Sequence, residues 1–371
     1  MATAKKRRKK KQTKSIVLVV ISILLILASL GVVLLIAWKA FFKQQRYFQD
    51  GEDVSQDTSL FANEEHSEKS KTFLLCGLDE SESLTDVMML VNFDIEKNEL
   101  HILHIPRDSF VGLDMTSTGK MNAIYSSNAY DEIDGITNIG RLIKAVNNQF
   151  QIGIDYYATI TLSAFRDVVD LTGGIPINML WTINYDQNIT IYPGEQVLNG
   201  EQAEAMIRYR RGYASADIGR MEARSYFLAA AFSHFKDIGT IDTIKIIESF
   251  LTDNKGEFTT NMSLGEIKDY VTLLGRLTSD KVFVHTVPTE SVPTSDPANP
   301  TRNWTHPQDL LTMHTNETAE ILNEYFRPYT DDVPYYELEI VELKNSGEGY
   351  SEDVVSFEDI NNGDASKPRE H

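Results

Sequence analysis

The sequence predicts an α/β protein, a sheet covered by helices on both faces, held at a membrane by one N-terminal span. Three observations point there. Apolar runs of strand length alternate with helix-periodic segments from residue 72 onward. The 23 residues from Ile16 to Trp38 carry no charge. Every charge before that run is basic, whereas the rest of the chain is strongly acidic.

Residues 1–15 form a basic tail, with Lys5, Lys6, Arg7, Arg8, Lys9, Lys10, Lys11 and Lys14 and no acid. At about 1.5 Å per residue, the uncharged run over 16–38 is long enough to cross a hydrocarbon core of about 30 Å. A cleaved leader would have a shorter apolar region ending at a small-residue site. The basic flank stays cytoplasmic by the positive-inside rule, which places the later residues outside. Beyond residue 38, the chain keeps 27 of its 35 basic residues against all 54 acidic ones. A net −27 repels nucleic acid, and this topology leaves only about 15 residues on the DNA side. A transcriptional regulator therefore fits poorly. The single cysteine, Cys76, excludes an intramolecular disulfide and reads as a buried small hydrophobe.

Residues 39–70 are polar and read as an extracytoplasmic stalk leading to a main domain over 71–335. TFLLCGLD (72–79) predicts a strand buried on both faces. VMMLVNFDI and ELHILHI flank Glu96-Lys97-Asn98 as a hairpin, and Pro106 in IPRDSF ends the second strand. Ile136, Ile139, Leu142, Ile143, Val146 and Phe150 recur at helical spacing over 135–150. IDYYATIT then predicts a strand, LSAFRDVVDL a helix, Gly173-Gly174 a break and IPINM a short strand. Asn199 with Gln202 reads as a capping box opening a helix through Ile207. Further helices are expected over 218–235, 241–252, 263–276 and 307–326, with a strand at KVFVHTVP. The acidic, apolar-poor tail over 336–371 is expected to fray from about residue 345.

RYRRGYASADIGRMEAR (208–224) gathers five arginines and no lysine. In a continuous helix Arg208 and Arg210 would point about 200° apart, so they share a ligand only if the chain becomes extended near Arg208. Asp217 is a suitable N-cap for the next helix, with Arg220 in its first turn and Arg224 one turn on. Arginine there opposes the helix dipole, a conflict that a bound anion would remove. Guanidinium forks suit planar oxyanion contacts such as phosphate, although a solvated face paired with nearby carboxylates explains the spacing equally well. Asp79 and Asp86, at adjacent strand ends, offer the hard oxygens that suit Mg²⁺, or else serve as ordinary turn residues. Arg107, Asp108, Lys120 and Asn122 mean little singly. No nucleophilic-serine, zinc-ligand or nucleotide-binding pattern is present.

Taken together, LLCGLD, TDVMMLV, HIPRDSFVG, KMNAIY, DLTGGIPI, YPGEQVLNGEQAEAMIRYRRG and ADIGR resemble the LytR-CpsA-Psr (LCP) family of bacterial cell-wall proteins, over about residues 72–236. The resemblance implies a three-layer α/β/α fold with a central mixed sheet and a long apolar pocket for a polyprenyl chain. It also implies Mg²⁺-dependent transfer of a phosphoglycopolymer, of the wall teichoic acid or capsular polysaccharide type, from polyprenyl pyrophosphate to peptidoglycan, with possible pyrophosphatase activity. By matched position, Asp79 and Asp86 would hold the metal and Arg107, Arg208 and Arg210 the pyrophosphate. Lys120 and Arg220 match further head-group positions, and Arg224 would add charge beside them. Asp86 and Asp108 both remain candidates for the general base. Three departures stand out: Leu84-Thr85 replaces the family's usual Arg-Ser before the second aspartate, the loop CGLDESESLTD is short, and Ala223-Arg224 stands where Arg-Gln is usual. The first removes a guanidinium and is the best support for the alternative, a non-catalytic binding protein for polyprenyl phosphate or wall polymer that regulates envelope assembly.

Overall fold

The computed structural model describes residues 68–209, 216–254, 256–343 and 355–362. The expected span at 16–38 lies outside them, and among the described residues no helix is long and apolar enough to cross a membrane. The elements in chain order are β1 (Ser70–Leu78), β2 (Thr85–Asp94), β3 (Glu99–His104), α1 (Asn138–Phe150), β4 (Tyr156–Ile160) and α2 (Leu162–Leu171). Then come β5 (Ile175–Met179), β6 (Ile183–Asn184), β7 (Thr190–Ile191), β8 (Gly194–Leu198), α3 (Gly200–Arg208), α4 (Ala216–Ile238), α5 (Thr240–Asp253), β9 (Phe258–Thr260) and α6 (Leu264–Leu274). The last are β10 (Val282–Thr286), β11 (Thr289–Val292), β12 (Leu310–Met313), α7 (Thr315–Ile321), β13 (Val355–Ser356) and α8 (Phe357–Asn362).

The central sheet runs β13-β10-β3-β2-β1-β4-β9 and is mixed: β1–β2 and β2–β3 are antiparallel, β1–β4 and β3–β10 parallel. Strand periodicity sends alternate side chains to opposite faces. Leu74, Cys76, Met88, Leu90 and Leu103 pack one way, against Leu142, Ile143, Val146 and Phe150 of α1. Phe73, Val91, Phe93, Leu100 and Ile102 pack the other way, toward Ala229 of α4 and Phe357 and Ile360 of α8. The result is three layers, α/β/α. A smaller cluster joins β5 and β8 to α3 and α4 through Ile175, Ile177, Leu198, Met206 and Phe227.

Local chemistry sets the helix starts. Thr137 accepts from Gly140 N and Thr161 from Ala164 N, while Asn199 and Gln202 close a reciprocal capping box. The first helix thus begins three residues later than its apolar spacing suggests, because Thr137 is its cap. Gly174, at φ +86, turns α2 into β5 where a Cβ would meet the Leu198 carbonyl at 2.8 Å.

Three expectations are corrected. Asp217 lies within α4, which already includes Ala216, and is not its N-cap. The helix expected over 307–326 begins with a strand: β12 pairs with β11, and Leu311 exchanges backbone hydrogen bonds with Asp108 and Phe110. Long-range partners override the local period there. The end expected to fray instead docks over 355–362, with Val355 and Ser356 paired to β10 and Phe357 and Ile360 buried.

Candidate functional site

The site lies at the carboxyl ends of the parallel strands β1 and β4, the position where open α/β sheets present ligands. Between the sheet and helices α2 and α4 is a cavity of about 260 Å³. Leu75, Val87, Ile160, Phe165, Phe227 and Phe258 form its apolar wall. Three charged residues, Asp86, Arg208 and Arg224, share the lining.

Each charged side chain is delivered by a different element. Arg208 is the last residue of α3, and Tyr209 beyond it is extended (φ −60, ψ 135). Its guanidinium donates to Glu204, one turn back, at 2.8 Å and lies 3.9 Å from Glu80. Burial works against its charge, but the Glu204 hydrogen bond and the neighbouring Tyr185, Glu204 and Asp86 more than offset this, so its pKa is raised. Arg224 comes from α4, is buried, and donates through Nε to the Ile207 carbonyl at 3.2 Å. A cation at the carbonyl end of α3 complements the helix dipole.

Asp86, second residue of β2, pairs with Arg107, which follows Pro106 at the end of β3. The Arg107–Phe110 loop is clamped to the next one by Met121 N to Ser109 O (2.9 Å) and Asn122 N to Arg107 O (3.1 Å). Lys120 consequently reaches Asp108 at 3.0 Å, and Asp108 lies 3.7 Å from Arg107. The charges alternate: Asp86, Arg107, Asp108, Lys120.

Asp79 behaves differently. Its Oδ1 accepts from Ser83 N (3.0 Å) and Leu84 N (2.9 Å), and its Oδ2 from Ser81 Oγ (2.7 Å). Burial raises its pKa, but the bonds from Leu84, Ser81 and Ser83 prevail and lower it. Asp79 thus organises the 79–84 turn and is turned into its own loop. Arg210 and the side chain of Arg220 lie outside the described residues.

Behind Arg224, His104 ends β3 with Nε2 3.2 Å from Ser225 Oγ. Burial and then the Arg224 charge lower its pKa to about 3, so it is a neutral spacer between sheet and helix. Burial also pushes the Cys76 thiol far above its usual range, consistent with an inert core residue.

Sequence reasoning missed two residues, Glu204 and Arg166, that hold Arg208 without lining the cavity. Glu204 uses its second oxygen to accept from Arg166 of α2. The i,i+4 spacing of Glu204 and Arg208 was a readable signal. Arg166, distant in sequence, gave none. Their meeting depends on Gly200, where an added Cβ would lie 2.6 Å from the Arg166 carbonyl oxygen. Among the described residues no three His, Cys, Asp or Glu side chains converge as a metal cage.

The domain is thus α/β/α, with an otherwise apolar cavity whose lining includes two arginines and a carboxylate. The chain belongs to the LytR_cpsA_psr family, whose sequence profile matches residues 39–325. It is 29% identical over 245 residues to the polyisoprenyl-teichoic acid–peptidoglycan teichoic acid transferase TagV of Bacillus subtilis, covering 62% of this chain and 60% of that one. The chain therefore spans somewhat less than two thirds of that relative's length. Among solved structures, B. subtilis TagV superposes with a TM-score of 0.57 at 23% identity, over 72% of this chain and all of that one. TagT bound to LIIa-WTA gives 0.55 at 20% identity, over 74% and 95%. These likenesses establish the fold.

Proposed function

We propose that the protein is a membrane-anchored, extracytoplasmic phosphotransferase that moves a phosphoglycopolymer of the teichoic acid or capsular type from polyprenyl pyrophosphate to peptidoglycan. One observation carries the reading: an apolar cavity whose lining includes Arg208, Arg224 and Asp86. Such a cavity suits an isoprenoid tail, and the guanidinium groups suit the diphosphate that follows it. The transferase name of the related TagV agrees with this chemistry.

In the proposed reaction an acceptor hydroxyl attacks the polymer-bearing phosphorus, the bond to the bridging oxygen breaks, and polyprenyl phosphate leaves. Arg208 and Arg107, with Arg210 by family position, would hold the non-bridging oxygens as charge shifts toward the leaving phosphate. Lys120, Arg220 and Arg224 would add positive charge around the head group. The hydroxyl proton passes to a carboxylate, Asp86 or Asp108. Mg²⁺ would take its protein oxygens from Asp86, which lines the cavity beside its Arg107 partner, and by family position from Asp79, which would have to give up a bond of the 79–84 turn to reach it. Two carboxylates with phosphate oxygens and water are an ordinary Mg²⁺ environment. When bound there, the ion would polarise a phosphate. The basic tail and the apolar run at 16–38 would keep the domain beside the leaflet that displays the donor.

The test is release of polyprenyl phosphate from a lipid-diphosphate glycopolymer by the purified full-length chain in Mg²⁺, with transfer of the polymer to a peptidoglycan fragment. Stoichiometric binding without turnover would replace this reading with the non-catalytic one, which the missing guanidinium before Asp86 favours. A reporter fused to the carboxyl terminus tests the topology, and activity of a cytoplasm-only reporter rejects it.

A further inference from the structure

Glu204 is the one acidic residue on the described part of the site that is shared between two guanidinium groups. It is buried, at 8% exposure, yet its two oxygens accept separately from Arg208 and Arg166. Carboxylate and phosphate present similar oxygen geometry to an arginine fork. The Glu204 carboxylate therefore already engages Arg208 Nη1, one of the donors that a phosphate oxygen would use. We infer that Glu204 is a built-in competitor anion that makes the site prefer a lipid diphosphate over the lipid monophosphate left after transfer. This rests on the reading above that the site receives a lipid diphosphate.

The physical case is one of competing charges at a single fork. A monophosphate has to displace Glu204 from Arg208 with few oxygens and few other partners. A diphosphate extends further, so that Arg224 and Arg107 can meet its second phosphate while Glu204 shifts its weight to Arg166. Once the bond has broken and one phosphate has gone with the polymer, Glu204 returns to Arg208 and weakens the hold on what remains. Glu204 is thus a positioning residue for Arg208 and a determinant of product release. The local fold supports a fixed carboxylate: Gly200 lets α3 approach α2 closely, and Gly200 N is bonded to Asp170 Oδ1 at 2.8 Å, which locks the two helices in register.

The experiment is calorimetric titration of the full-length chain with geranyl diphosphate and geranyl monophosphate in Mg²⁺ buffer. The unaltered protein should prefer the diphosphate by about tenfold or more. In Glu204→Gln the monophosphate should bind about tenfold tighter while the diphosphate gains less, and in turnover kcat and KM should fall together as release slows. Arg166→Gln, which leaves Glu204 to Arg208 alone, should weaken both ligands and widen the preference. The exposed Glu201→Gln on the same helix should change neither. A folded Glu204→Gln with unchanged preference, or with both affinities reduced in parallel, overturns the role of Glu204 while leaving the transferase reading intact. Should Glu204→Gln fail to fold, an unchanged preference in Arg166→Gln overturns it. Failure of the unaltered protein to bind either geranyl compound rejects the lipid-diphosphate reading and this inference with it.

Discussion

Arg208 shows how much of the site depends on single side chains. It is part-buried, held by Glu204, and set at the point where α3 gives way to extended chain. Replacing it with alanine removes a preorganised charge from the developing phosphate, so Arg208→Ala should lower transfer by about 10²–10³-fold. Thermal unfolding should stay near that of the parent, and activity surviving in a folded variant would reject the proposed clamp. His104 makes a different prediction. Its folded pKa, about 3, lies below the ordinary 6.5, so below pH 6.5 the unfolded chain takes up a proton that the folded one refuses. Stability is therefore complete above about pH 6.5 and falls between there and pH 3, by up to ~1.4 kcal/mol per pH unit from this residue. His101, near 4, and His285, near 3, are held neutral by burial and act in the same direction. Melting curves from pH 7.5 to 4.5 should show the loss, and His104→Gln should make the slope shallower; an unchanged slope would show that His104 is not the group responsible.

At the scale of elements, the close packing of α2 and α3 decides whether Arg166 and Glu204 meet. Gly200→Ala would drive a methyl into the Arg166 backbone, a clash that outweighs the roughly 1 kcal/mol of helix propensity gained. Net destabilisation of about 2–3 kcal/mol is expected, within the range for overpacking, and chemical denaturation measures it. A neutral or stabilising result would mean the helices separate freely. Elements of this kind also show what the sequence made legible. The Asn199–Gln202 box and the hairpin at Glu96–Asn98 are short-range chemistry, and the chain writes them out in a few adjacent letters. β12 and β13 were not legible, because LLTM and a two-residue VS become strands only through partners 18 to 73 residues away. The same division holds at the site. Arg208 and Asp86 were nominated by pattern and Arg107 by family resemblance, and Glu204 could have been read from its spacing to Arg208. The bond from Arg166, and the turning of Asp79 into its own loop, depend on contacts that only the folded chain creates.

For the whole molecule, stability rests on the two faces of one mixed sheet. Leu74 and Phe150, fully buried on the α1 side, should each cost about 2–5 kcal/mol on replacement by alanine, read as a shift of the denaturation midpoint at constant slope. A loss below 1 kcal/mol would show that this layer is loosely packed. Along the sheet, β13 covers the outer edge of β10, and α8 seats Phe357 and Ile360 beneath it. Shortening the chain after residue 345 would bare that edge, and the truncated protein should self-associate on light scattering where the parent does not. β13 is also the last strand of the sheet in chain order. During synthesis, the flank of β10 stays unpaired until residue 356 has arrived, whatever else has already folded. Closing the sheet is thus a late event that reports on completion, and a prematurely ended chain would display a raw strand edge by which proteases and chaperones can recognise it.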